Sequence, residues 1–141
     1  MTEFAVQCRV AAPMEVVWRA WTTPGGLASW WWPQLRDTTY DIDARVGGSY
    51  RFESKAAGIG AQGEFTAVEQ PGRLDMTWWW IGGDTPTQPD FVSVDLQSDQ
   101  AATQVTVTHR TPHPDDSCDD LRVGWNDVLK RLATTLVKPN S

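Results

Sequence analysis

The sequence predicts an α+β chain, with one seven-stranded antiparallel sheet, a long C-terminal helix across it, and two short helices after the first strand. Three observations carry this. Apolar residues alternate with period two at the start of the chain and again in successive stretches from Thr38 to Arg110. Gly, Pro, Asp and Ser separate those stretches at short intervals, as a meander of antiparallel neighbours requires. The period then changes: Leu121, Trp125, Val128, Leu129, Leu132 and Leu136 fall three and four apart, which is one face of a helix of roughly 20 residues.

Each element has its own local cause. Phe4, Val6, Cys8 and Val10 alternate with Glu3, Gln7 and Arg9, the pattern of a half-buried strand. Pro13 suits the first turn of a helix, where its missing N–H is not needed, and Val17, Trp18 and Trp21 give that helix an apolar side. Thr23-Pro24 is an N-cap followed by proline, so a second short helix is expected to about Trp31, closed by Pro33. Six strands are then expected. Tyr40, Ile42 and Ala44 alternate in the first, and Gly47-Gly48 precedes Ser49 to Ser54. A turn at Gly58 to Gly60 leads to Gln62 to Glu69, and Pro71-Gly72 to Leu74, Met76, Trp78 and Trp80. Gly82 to Pro89 is a loop before Val92, Val94 and Leu96, and Ser98 to Ala102 turns into Val105, Val107 and His109. Asp115, Asp116, Asp119 and Asp120 precede the last helix and Lys130, Arg131 and Lys138 lie toward its end, as the helix dipole favours.

The chain has 141 residues, 40% of them hydrophobic and 21% charged, the composition of a single folded domain over 1–141 with a loose tail at 137–141. No apolar run reaches the ~20 residues of a membrane helix, and the N-terminus lacks a signal segment, so a cytoplasmic location is expected. The formal net charge is −6, which argues against nucleic acid or an anionic membrane as partner. Cys8 and Cys118 are read as free thiols. No metal-ligand spacing, phosphate loop or catalytic triad order is present, and no cofactor is implied. The acidic pairs at the helix start are explained by the dipole without a metal.

Nine tryptophans are the unusual feature. If the long helix covers the inner sheet face, alternation places Met76, Trp78, Trp80, Val94 and His109 on that face, with Trp125 opposite them on the helix. Together with Trp30, these residues are the candidate lining of an apolar, aromatic cavity between sheet and C-terminal helix, of several hundred cubic ångström. His109 is the one titratable group expected on that face, able to orient a ligand oxygen or act as a base. A second polar group would be needed for catalysis, and Glu64, Tyr40 and Arg51 are the candidates, Arg51 on the outer face. Trp30-Trp31-Trp32 cannot all face one way, so at least one is expected at the surface, and Trp79 is expected on the outer sheet face.

Several motifs stand in a recognisable order: Val17 to Pro24, Leu27 with Trp31-Trp32-Pro33, Val46 to Phe52, Gly63-Glu64-Phe65 with Pro71 to Leu74 and Thr77-Trp78, and Gly124-Trp125 with Leu129, Leu132 and Leu136. In these the chain resembles the START-like, helix-grip superfamily (SRPBCC), and within it the family of the C-terminal domain of the activator of the heat-shock-protein-90 ATPase. The resemblance implies a seven-stranded sheet gripping the C-terminal helix around a cavity. It also implies a small-molecule binding protein; the lining named above suits a small hydrophobic or aromatic ligand, and no catalytic residue is assigned. Two alternatives come with it. One is an interaction module with a protein partner or a homodimer contact; the family's namesake activates a chaperone but uses a separate N-terminal domain for which these residues have no counterpart. The other is an enzyme resembling polyketide cyclases.

Overall fold

Alternation becomes strand and the three-four spacing becomes helix. The computed structural model describes residues 2–31, 37–81, 89–111 and 118–136, with the backbone alone for Thr2, Trp80 and 118–121. Strand β1 (Thr2–Val10) buries Phe4, Val6 and Val10 and turns Glu3, Gln7 and Arg9 to solvent. Helix α1 (Met14–Thr22) follows Pro13 and buries Val17, Trp18, Ala20 and Trp21. Helix α2 (Pro24–Ala28) starts on Thr23, whose Oγ1 accepts the Gly26 N–H at 3.0 Å. It is shorter than the expected run to Trp31, which is a turn held by the Trp31 N–H on the Leu27 carbonyl at 2.8 Å. Pro33 lies outside the described residues.

The six expected strands are β2 (Thr39–Ile42), β3 (Ser49–Ser54), β4 (Ile59–Glu69), β5 (Arg73–Ile81), β6 (Asp90–Asp99) and β7 (Ala102–Thr111). They form one seven-stranded sheet in the order β1-β7-β6-β5-β4-β3-β2, antiparallel throughout. The first strand therefore closes against the last, and every other neighbour is a hairpin partner. Helix α3 (Cys118–Thr135) buries Trp125, Val128, Leu129 and Leu132. This is the helix-grip fold.

The three helices divide the inner face among them. Helix α3 lies against β1, α1 against β6 and β7, and α2 against β2. The core is continuous beneath all three, and Trp125 carries α3 from the β1 edge onto His109 of β7 and Trp78 of β5.

The ladder between β4 and β5 opens locally. Gln62 pairs with Trp79 and Phe65 with Met76, but between them the Glu64 N–H bonds to Thr77 Oγ1 at 3.0 Å. The Thr77 carbonyl instead accepts the hydroxyl of Tyr50, which reaches over from β3. Gly63 pairs with Tyr50, and a Cβ on it would stand 2.0 Å from the Thr77 carbonyl oxygen. Only glycine leaves room for that approach. Burial pushes the Tyr50 phenol far above its ordinary value, so it remains a protonated donor.

Candidate functional site

The inward rows of β6 and β7 continue past their apolar residues into polar ones. On β7, Val105 and Val107 are followed by His109 and Thr111; on β6, Val94 and Val92 are preceded by Asp90. All of these are buried, His109 at 0% and Asp90 at 2% exposure. The register that pairs Phe91 with Arg110 and Val92 with His109 brings Asp90 to the end of β7. There, His109 Nε2 and Asp90 Oδ2 are 2.7 Å apart. Thr111 Oγ1 donates to Asp90 Oδ1 at 3.0 Å, and from α3 the indole N–H of Trp125 donates to His109 Nδ1 at 2.9 Å.

This donor pattern assigns the tautomer. An indole N–H can only donate, so Nδ1 is bare and the imidazole proton sits on Nε2, where it donates to Asp90. His109 thus spans from the Trp125 indole to the Asp90 side chain through its two ring nitrogens. Phe4 stacks on one side of its ring, with centroids 5.4 Å apart and planes 4° apart, and the Arg122 guanidinium covers the Phe4 ring. Both nitrogens are spent inside the protein, leaving no lone pair for a substrate proton. The arrangement ties α3 to the sheet rather than forming an acid–base pair.

Two expectations are corrected here. His109 is not the one titratable group on the inner face, because Asp90 faces it. Of the three candidate second groups, Arg51 is exposed on the outer face as expected, Glu64 is exposed there too, and Tyr40 gives its hydroxyl to the Trp31 carbonyl. Asp90 and Thr111 were legible as the next period-two positions beyond Val92 and His109.

The rings meet beside this network. Trp31 is their hub, with centroids 5.0 Å from Phe52, 5.8 Å from Trp78 and 5.5 Å from Trp125. Trp30 packs back against Trp21 at 4.7 Å and donates its N–H to the Ala20 carbonyl at 2.9 Å. Both are buried, because the turn after Ala28 sends one ring to α1 and the next to the sheet. Trp32 lies outside the described residues. Among these rings is an apolar chamber walled by Trp21, Leu27, Trp31, Phe52, Met76 and Trp78, with Ile42, Tyr50 and Phe65 completing it; its free space is about 20 Å³. That is room for about one water, far less than the several hundred cubic ångström expected, because the tryptophans fill it themselves. The Trp21 Nε1 is buried and finds no acceptor among the described residues.

The chamber lies beneath α1 and α2, and none of its nine lining residues comes from α3. Of the candidate residues, Met76 and Trp78 form its wall, and Trp125 links it to His109. Val94 is buried in the aliphatic layer and Trp30 behind Trp21. The Trp80 side chain lies outside the described residues. On the outer sheet face, Trp79 is half-buried in an open groove of about 800 Å³ that also holds Asp41, Arg51, Gln62 and Glu64.

No metal-binding cluster occurs among the described residues; Asp115, Asp116 and the side chains of Asp119 and Asp120 are not among them. No described helix is long and apolar enough to cross a membrane. Cys8 is a half-buried free thiol beneath α3, 3.8 Å from the Leu129 carbonyl. Burial pushes its pKa up to about 11, so about one molecule in a thousand carries the thiolate at pH 8. In a Cys118→Ser background, Cys8 should react with a disulfide reagent at pH 8 only slowly, and rapidly after denaturation. The raised value also means this group leaves stability unchanged below pH 9 and lowers it as pH climbs toward 11.

The family model of Activator of Hsp90 ATPase homolog 1-like proteins matches residues 11–137. The chain matches no curated protein in sequence. Among solved structures, DynU16, a protein of the dynemicin biosynthetic locus, is 29% identical with a TM-score of 0.81; the match covers 95% of this chain and 46% of DynU16, so this chain spans less than half of that one. The Aha1 dimer from Colwellia psychrerythraea superposes with a TM-score of 0.82 at 21% identity over 100% of both chains. An HSP90 activator from Plasmodium falciparum does so with a TM-score of 0.72 at 21% identity over 99% of both.

Proposed function

Given that the chain belongs to the family of Activator of Hsp90 ATPase homolog 1-like proteins, we propose that it is a binding protein without turnover, which admits a small apolar aromatic molecule to the chamber under α1 and α2. The observation that carries this is the chamber wall: aromatic rings from α1, the turn after α2 and three strands converge on one residual space. Admission of a flat guest requires these rings to slide and turn apart, because the residual space holds about one water. The roof is suited to yield. Helix α2 has five residues, too few to be stable alone, and is held by the Thr23 cap and the Tyr40–Trp31 bond. The locked His109 supports binding over catalysis. DynU16, which comes from a biosynthetic locus, provides a relative in a small-molecule setting.

The test is differential scanning calorimetry with 2-acetylnaphthalene. At a hundred times its dissociation constant, a guest adds about 2.7 kcal/mol, which raises the melting temperature by roughly 8 °C in a chain of this size. No shift up to the solubility limit would sink the reading.

One observation favours a second reading, a protein partner on the outer face. There Trp79 is half-buried and Phe91 is 42% exposed, and one relative of this fold is a dimer. If the partner is a second copy, the wild type sediments as a dimer and a Trp79→Ser, Phe91→Ser variant as a monomer. A monomeric wild type would leave this face without that role.

A further inference from the structure

We propose that Trp21 selects the guest: its indole N–H reads a hydrogen-bond acceptor, so the ligand class is a flat, uncharged aromatic molecule carrying one ketone or ether oxygen. This rests on the chamber reading above and specifies its chemistry. The fold gives the N–H of Trp30 to the Ala20 carbonyl and that of Trp125 to His109, whereas Trp21 Nε1 is buried without an acceptor. A buried donor left so is costly, and an apolar site containing one favours a guest that brings the missing oxygen.

The rest of the wall restricts that oxygen further. Trp21 lies on α1, whose backbone carbonyls serve the helix, and the one hydroxyl of the wall, that of Tyr50, already donates to the Thr77 carbonyl. None of the nine lining residues is charged, so a carboxylate or phosphate would enter without a counter-ion and is disfavoured. A neutral acceptor remains. Trp21 is therefore a specificity-determining residue.

The experiment compares 2-acetylnaphthalene with 2-isopropenylnaphthalene, in which a CH₂ group replaces the oxygen at nearly constant shape. In the wild type the ketone should bind about fivefold to tenfold more tightly, and in Trp21→Phe that preference should be lost. A second readout needs no variant: the Trp21 indole cross-peak in an ¹H–¹⁵N spectrum should move downfield with the ketone and not with the alkene. Equal binding of both compounds by the wild type overturns the role of Trp21 and leaves the chamber reading intact. A ketone preference that survives in Trp21→Phe overturns it too, by showing that another donor selects. Binding of neither compound removes the chamber reading and this inference together.

Discussion

Asp90→Ala should unfold about 10–15 °C below the wild type. The substitution removes the carboxylate that accepts the His109 Nε2–H and the Thr111 hydroxyl, both fully buried. Losing a buried hydrogen bond to a charged acceptor costs about 1.5–3 kcal/mol, and the vacated volume adds to this. A total of about 3–5 kcal/mol converts to that interval at roughly 3 °C per kcal/mol for a chain of this length. His109→Ala should cost a similar amount, because it strands the Asp90 carboxylate and the Trp125 N–H together. The double variant should be less destabilised than the sum, by about 1–3 kcal/mol, since the second deletion removes a group the first has already orphaned. Thermal unfolding of the four proteins completes this cycle. Strict additivity would mean that Asp90 and His109 do not act as one unit.

Trp31→Ala should lose about 3–5 kcal/mol, the range for a large ring removed from a packed core, and should recover part of it when indole is added. Trp31 is the ring that Phe52, Trp78 and Trp125 all touch, so its deletion joins a vacated ring site to the existing chamber. Indole at a hundred times its dissociation constant would restore about 2.7 kcal/mol. Trp79→Ala, on the outer face, should cost under about 1 kcal/mol and gain nothing from indole. Loss of stability in Trp31→Ala without rescue would indicate that the walls collapse inward, and the roof of the chamber would then have no capacity to hold a guest.

The contrast between these two regions shows what the sequence makes legible. The strands and the long helix follow from side-chain period alone, which is local. Asp90 and Thr111 obey the same period, yet they end their strands as polar residues and so fall outside a search for apolar alternation. The position of the chamber is a different matter. It depends on which stretch of sheet each helix roofs, and that is set by packing between elements distant in sequence. The rings of Trp30 and Trp31 likewise diverge because of one turn after Ala28, which the proline-capped start of α2 does not specify. Gly63 carried a signal that period-two reading passes over. A glycine within a strand marks a close backbone approach, here the Thr77 carbonyl, with Tyr50 reaching across to it.

Met76 offers the most direct view of the chamber. It is on the wall, whereas Met14 is half-buried on α1 near Gly72 and is absent from the lining. With ¹³C-methyl methionine labelling, addition of 2-acetylnaphthalene should shift the Met76 methyl resonance through the ring current of the guest. It should also produce Overhauser contacts between that methyl and the naphthyl protons, with the Met14 methyl unmoved. A Met76 resonance that stays fixed while the Trp79 indole moves would place the guest on the outer face and contradict the account.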